Sequence, residues 1–221
     1  MISKLFQHFL NKQGPVRDQQ HVETEYANSY RGRLPATLIE FWINYGWGSY
    51  ADGMLKLCDP AMFSGVLERA LGMDSIFKPQ ECLVFAFTAF GELNVWRSDH
   101  LAFRINLIGY ELYSDSLFNN ARKVEEDIEI TTPLMTFKKD RNDVRDKSNR
   151  PLYDDAVKLL GYPSLDECFG FHPALPLGGE RNLKHLKRVK AREHFGILAQ
   201  MRPLRLMDYQ NFPPKFVRDI G

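Results

Sequence analysis

The stretch CLVFAFTAFGELNVWRSDHLAFRINL, residues 82–107, decides the fold class of this chain. It contains three apolar runs that are rich in β-branched and aromatic residues, at 83–88, 93–97 and 101–107. Turn-forming residues divide the runs, with Gly91 after the first and Asp99 after the second. Short runs separated in this way are typical of neighbouring antiparallel strands. The stretch therefore predicts an antiparallel meander.

Two helices and a short strand are predicted before this meander. After Leu34-Pro35, apolar residues recur at helical spacing as far as Tyr45, and Gly46 follows where a helix cap is common. Asp59-Pro60 starts a second helix, because aspartate accepts bonds from free backbone N–H groups and proline fits the first turn. The short apolar segment 54–57 lies between the helices as a strand. The first half of the chain is thus predicted to be α+β.

The chain beyond residue 130 carries a second, smaller set of elements. The mixed charges of residues 136–151 indicate a solvated connection. The hydrophobic pattern then predicts a helix over 152–160, an apolar strand near 169–171, a strand over 186–190 and a helix over 191–201. Ser164 and Glu167 have the spacing of a capping box. We predict an antiparallel sheet with packed helices over residues 1–130 and a smaller α+β domain over 131–221. Whether the two share one sheet is left open.

Composition places this chain among ordinary globular proteins. It has 221 residues, of which 44% are hydrophobic and 26% charged, which is enough to bury a core. No apolar run approaches the roughly 18–20 residues that cross a bilayer, and the N-terminus is too polar for a secretory signal. Three cysteines, Cys58, Cys82 and Cys168, imply neither a disulfide framework nor a zinc site. We expect a cytoplasmic protein.

The net charge of +1 hides an asymmetry between the two parts. Residues 1–130 carry 12 Lys and Arg against 17 Asp and Glu, whereas residues 131–221 carry 17 against 11. The acidic run Glu125-Glu126-Asp127-Ile128-Glu129 concentrates negative charge in the first part. A partner with a basic, phosphate-binding cleft would be attracted to such a surface. Solvated faces without any partner are the simpler interpretation of the same pattern.

No motif in the sequence supports catalysis. The six histidines show no metal-ligand spacing, and Glu193-His194 lacks the second histidine of a zincin helix. Gly178-Gly179 lacks the lysine of a phosphate-binding loop, and no serine sits in a G-x-S-x-G elbow. We therefore expect no catalytic residue, no cofactor and no bound metal, and a structural role for His172 and His194. An enzyme with a scattered site around these two histidines is kept as an alternative.

A basic stretch near the C-terminus suggests a different function. Six potential cations fall within nine residues, namely Lys184, His185, Lys187, Arg188, Lys190 and Arg192. Such a run neutralises phosphates in a salt-dependent way, but it contains no aromatic residue on which a base would stack. A nucleic-acid-binding module using residues 184–192 is therefore the second hypothesis, and a solvated strand face is the plainer one.

Two aromatic residues stand apart from the predicted core. Trp47 and Tyr50 fall in a predicted glycine-rich loop after the first helix, so we expect them to be exposed and available to a partner. Aromatic side chains of this kind commonly anchor protein interfaces.

Several motifs of the chain resemble known domains. The first part of the chain is similar to the GAD-like domain. The motifs that carry this resemblance are, in order, Leu34-Pro35-x-x-Leu38-x-x-Phe41-Trp42-x-x-Tyr45-Gly46, Tyr50-x-Asp52-Gly53, Asp59-Pro60 and Phe90-Gly91-Glu92-Leu93-x-x-Trp96. The second part resembles the C-terminal domain that accompanies the GAD-like domain in bacterial immunity proteins against type VI secretion DNase effectors. The motifs are Gly170-Phe171-x-Pro173-Ala174-Leu175, Gly178-Gly179 and His194-x-x-Ile197-Leu198-Ala199.

The resemblance implies a cytoplasmic protein that binds a cognate nuclease toxin and blocks its activity. We expect it not to be an enzyme and to have no small-molecule, nucleic-acid or membrane partner. The resemblance does not identify toxin contacts, since the shared positions are glycines, prolines and core aromatics. From the charge pattern we expect the acidic first part to face a basic cleft of the toxin. The partner-binding candidates are Asp115, Glu125, Glu126, Asp127 and Glu129, with Trp47 and Tyr50.

Overall fold

The computed structural model describes residues 3–118 and 124–220. The helices are α1 (Lys4–Gln13), α2 (Thr24–Asn28), α3 (Ala36–Tyr45), α4 (Ser64–Leu71), α5 (Glu126–Met135), α6 (Lys139–Asn142), α7 (Tyr153–Leu160) and α8 (Ala191–Met201). The strands are β1 (Arg17–Gln20), β2 (Trp47–Tyr50), β3 (Leu55–Leu57), β4 (Cys82–Thr88), β5 (Glu92–Arg97), β6 (Leu101–Asn106), β7 (Glu111–Tyr113), β8 (Glu167–Phe171), β9 (Leu186–Lys190), β10 (Leu204–Asp208) and β11 (Lys215–Ile220).

Nine strands form one sheet in the order β1-β2-β3-β4-β5-β6-β7-β10-β11. All neighbours in it are antiparallel except β7 and β10, which run parallel. The strands β8 and β9 form a separate antiparallel pair. The meander predicted from residues 82–107 is confirmed as β4, β5 and β6, with Trp96 opposite Leu83 on one side and Ala102 on the other. The fold class is α+β, as the sequence predicts.

Both faces of the nine-stranded sheet carry a hydrophobic core. On one face lie α1, α3, α5 and α7, whose apolar side chains pack with Phe85 and Trp96 of the sheet. On the other lie α4 and α8, which pack with Val95 and Phe103. Successive side chains of a strand point to opposite faces, which is why β5 sends Trp96 to the first core and Val95 to the second.

The chain beyond residue 130 is built into the same sheet. β10 and β11 extend it past β7, and Leu204, Leu206 and Ile220 belong to the core under α4 and α8. Tyr153 of α7 and Phe169 of β8 belong to the opposite core. The two parts therefore share one sheet, which answers the question that the sequence leaves open. The boundary at residue 130 stays a prediction.

The signals predicted to begin and to end the helices act as expected. Pro35 directly precedes α3, and Gly46 ends it with φ +69°. A Cβ at Gly46 would lie 2.0 Å from the carbonyl oxygen of Gln20, so only glycine fits there. Asp59 accepts a hydrogen bond from the Ala61 N–H at 3.0 Å and starts a 3₁₀ turn that leads into α4.

Two local predictions are wrong. Residues 47–50 form strand β2 rather than a loop, because Gly48 permits close approach of the preceding chain: a Cβ there would lie 2.4 Å from Val16 Cγ2. The Ser164 N–H does donate to Glu167 Oε2 at 3.0 Å, but no helix follows, since Glu167 is the first residue of strand β8. Across residues 3–118 and 124–220, no helix combines the length and apolar character needed to cross a membrane.

Candidate functional site

The predicted acidic cluster lies at the N-terminus of α5. Glu125 occupies the N-cap position and Glu126, Asp127 and Glu129 the first turn. Carboxylates are favoured there because the free N–H groups of a helix N-terminus carry partial positive charge. Glu125 and Glu126 are exposed and Asp127 is half-buried.

A residue from another helix and one from a turn join this cluster. Burial, together with the neighbouring charges of Glu126, Glu125 and Glu40, raises the pKa of Asp127. Glu40 belongs to α3 and is exposed. His100, in the β5–β6 turn, places Nδ1 2.7 Å from Glu126 Oε1. We call Glu40, Glu125, Glu126 and Asp127 the acidic surface. Glu40 and His100 escaped the sequence analysis, because neither lies near the acidic run along the chain.

Glu129 is a structural residue of this region. It is buried, with 8% of its surface exposed, although it belongs to the predicted acidic run. One carboxylate oxygen accepts from the Ala102 N–H at 3.2 Å and the other from the Ser116 hydroxyl at 2.7 Å. These bonds tie α5 to strand β6 and to the segment after β7. The charge of Glu129 is thus directed inward, away from the acidic surface.

Asp115 lies at the edge of a neighbouring feature. Its carboxylate is exposed and accepts from Arg104 Nη2 at 3.1 Å. The Arg104 guanidinium also stacks over the Tyr113 ring, 4.6 Å from its centroid, and the Tyr113 hydroxyl donates to Glu92 at 2.7 Å. Asp115 is therefore partly neutralised by an arginine that the sequence analysis did not connect to it.

These residues line a groove of about 860 Å³ on the sheet face beside α5. Across its floor Glu92 pairs with Asn106, and Arg104 with Tyr113, on adjacent strands. Its walls come from α5 and from the connection after it. We call this feature the polar groove and define it by Glu92, Arg104, Asn106, Tyr113, Asp115, Thr132, Thr136, Arg141, Asp143, Arg145, Asp146 and Arg181.

The expectation that Tyr50 is exposed is wrong. Tyr50 is fully buried in the first core, with its ring centroid 4.8 Å from that of Phe9. Its burial raises the pKa of its hydroxyl. Trp47 is only half-buried, but its indole N–H is enclosed and has no hydrogen-bond partner among the described residues. Both residues sit in strand β2, and the ring of Trp47 packs edge-on against Trp42 and Tyr26.

The two histidines considered for catalysis lie near each other. The ring centroids of His172 and His194 are 6.1 Å apart. Burial, and secondarily the charge of His172, lowers the pKa of His194 to about 4. A Cβ at Gly170 would lie 2.7 Å from the His194 ring, which shows how closely β8 packs on it. Among residues 3–118 and 124–220, no three His, Cys, Asp or Glu side chains are grouped to hold a metal ion.

The basic stretch 184–192 is partly neutralised by nearby carboxylates. Arg188 Nε lies 3.3 Å from Glu167, and Lys190 Nζ lies 2.6 Å from Asp166. Lys187 and Arg192 are exposed. The stretch therefore offers a nucleic acid fewer free cations than its sequence suggests.

Comparisons with known proteins relate the chain to two families. Residues 4–109 match the family model of the GAD-like domain. Residues 131–202 match that of the C-terminal part of the T6SS immunity protein Tdi1. The fold is similar to that in the crystal structure of Atu4351 from Agrobacterium tumefaciens, with a TM-score of 0.92 and 23% sequence identity over 98% of each chain. A comparison with curated proteins gives no match.

Proposed function

Because this chain carries a GAD-like domain followed by the C-terminal domain of the type VI secretion immunity protein Tdi1, we propose that it is a cytoplasmic immunity protein. In this role it binds a cognate toxin, a DNase, and neutralises it without itself catalysing a reaction. The observation that carries the proposal is the presence of both domains, in this order, in one chain.

The acidic surface supplies a physical mechanism for inhibition. A nuclease binds DNA through a cleft with positive potential that neutralises phosphates. Carboxylates at the N-terminus of α5 compete for the same cations, and opposite charges also accelerate encounter. Glu125 at the N-cap and Glu126 in the first turn of α5 are exposed, so they reach a partner without rearrangement of the fold. Occlusion of the toxin's active or DNA-binding site follows from such docking.

Expression together with the product of the neighbouring gene tests the proposal. We expect the two proteins to copurify, growth to be restored in cells that make the toxin, and genomic DNA to stay intact on a gel. A chain that neither copurifies with the neighbouring product nor restores growth would contradict the proposal. If growth is restored by this chain, but the genomic DNA of cells that make the toxin alone is also intact, the immunity role stands and the toxin is not a DNase.

A further inference from the structure

The polar groove differs from the acidic surface in the charges that remain free. Its four carboxylates are all engaged within the chain. Glu92 accepts a hydrogen bond from the Tyr113 hydroxyl, and Asp115 accepts one from Arg104. Asp143 accepts from the backbone N–H groups that begin α7, and Asp146 from Ser148 and Arg150. Each carboxylate of the groove is therefore already held by a donor of this chain.

Two of the four arginines of the groove make no such bond. Arg141 and Arg181 are exposed, and neither has a carboxylate within 4.0 Å or a side-chain hydrogen bond among the described residues. Arg145 donates only to the backbone carbonyls of Asn149 and Asp140. A guanidinium presents five N–H donors in a fork that matches a carboxylate. The guanidiniums of Arg141 and Arg181 are thus free to pair with carboxylates of a partner.

A second cavity continues the groove in the direction of β10. It holds about 830 Å³ and shares Ile108, Arg145, Asp146 and Arg181 with the first. Arg202, also exposed, lines this continuation. Two further cations there are paired with carboxylates, Lys147 with Glu180 at 2.8 Å and Arg205 with Glu111 at 2.9 Å. Arg141 and Arg181 in the groove and Arg202 in its continuation thus have no carboxylate partner among the described residues, and Arg202 lies over the Tyr110 ring, 5.9 Å from its centroid.

We propose that the polar groove is a second contact surface of this protein and receives an extended, acidic segment of the protein partner. The inference deepens the proposed function by assigning the chemistry of a second part of that partner. Carboxylate side chains of such a segment pair with Arg141 and Arg181, and its backbone lies along the sheet face. A toxin held at both surfaces is fixed in its orientation as well as bound, because the acidic surface presents exposed carboxylates and the polar groove presents two unpaired guanidiniums.

Charge reversal with a matched control tests this inference on the full chain. Arg141→Glu with Arg181→Glu changes two groove guanidiniums that make no internal bond among the described residues. Lys187→Glu with Arg192→Glu makes the same change of net charge at exposed positions of β9 and α8. We expect the first pair to weaken binding of the neighbouring gene's product by about tenfold or more in calorimetry, and the second by less than about twofold.

A peptide probe identifies the chemistry of the occupant. A fluorescein-labelled peptide of glutamates should bind the wild-type chain in an anisotropy titration, and binding should be lost in the Arg141→Glu, Arg181→Glu variant. Unchanged affinity of that variant for the toxin overturns the inference and leaves the immunity role standing. Binding of duplex DNA rather than the peptide, with the same loss in the variant, also overturns it. Absence of any complex between the wild-type chain and the toxin instead rejects the proposed function.

Discussion

The Lys56 ammonium of strand β3 lies 2.6 Å from the carbonyl oxygen of Ser164, more than a hundred residues further along the chain. It also donates to the carbonyls of Pro163 at 2.9 Å and Glu167 at 2.8 Å. Lys56 is fully buried, and each of its three N–H donors has a carbonyl acceptor in the second part of the chain. One side chain thus joins the GAD-like domain to the start of β8.

Replacement of Lys56 by methionine should destabilise the protein strongly. The substitution keeps an unbranched apolar stem of similar length but leaves three carbonyls without their donor. An unsatisfied buried polar group costs about 1–3 kcal/mol. Because only the bond to Pro163 is fully buried and the other two are partly buried, we expect the free energy of unfolding to fall by about 1–3 kcal/mol. Urea unfolding followed by circular dichroism measures it. A variant as stable as the wild type would show that these carbonyls find other partners.

The same lysine should make stability depend on alkaline pH. Burial lowers the pKa of Lys56 from 10.5 to about 8. Between these values the unfolded chain binds more protons than the folded one, so the contribution of Lys56 to stability rises with pH through this window. The difference in unfolding free energy between the wild type and Lys56→Met should therefore grow from pH 8 to pH 10. A constant difference would contradict the lowered pKa.

Tyr50 should behave as a core residue whose hydroxyl contributes nothing to the stability of the fold. The hydroxyl is buried without a partner among the described residues, so Tyr50→Phe removes a desolvated polar group at little cost in packing. We expect unchanged or slightly higher stability for Tyr50→Phe and a loss of about 3–5 kcal/mol for Tyr50→Ala. Toxin affinity measured on Tyr50→Phe distinguishes a core role from an interface role. A marked loss of affinity there would restore Tyr50 as a contact.

These examples show which features could be predicted from the sequence. The meander and α3 were predictable, because strand alternation, the helical stripe and the bounding glycines are local patterns. The burial of Glu129 was not, since it depends on Ser116 and on the Ala102 N–H of another strand. The polar groove was also hidden, because Arg104 and Arg181 meet only through the folded chain. Local signals determined the elements, whereas long-range packing determined which charges remain free.

His194 should destabilise the protein in acid. Its folded pKa is about 4, below its ordinary value of 6.5. Between these values the unfolded chain binds more protons, so stability is lost as pH falls from 6.5 towards 4, by up to about 3 kcal/mol. His194→Gln should show a smaller loss over this window in urea titrations, whereas substitution of the exposed His21 should leave it unchanged. Equal acid sensitivity in all three proteins would count against a neutral, packed His194.

The acidic surface should contribute to toxin binding through charge, and a matched pair of variants isolates that effect. Glu125→Lys with Glu126→Lys reverses the N-cap and first-turn charges of α5. Glu23→Lys with Glu25→Lys makes the equivalent change at the N-terminus of α2, so it controls for net charge and for the helix dipole alike. We expect roughly tenfold weaker toxin binding for the α5 variant alone.

Ionic strength separates this electrostatic contribution from a packing defect. Because salt screens exposed charges, wild-type affinity for the toxin should fall as salt is raised, and the α5 variant should lose part of that dependence. Interferometry at low and high ionic strength, with the α2 variant measured alongside, provides the comparison. Equal affinity and equal salt dependence for the two variants would place the toxin on another face of the protein. An α5 variant that binds weakly but keeps the wild-type salt dependence would instead indicate that the toxin recognises the shape of the start of α5 rather than its charge.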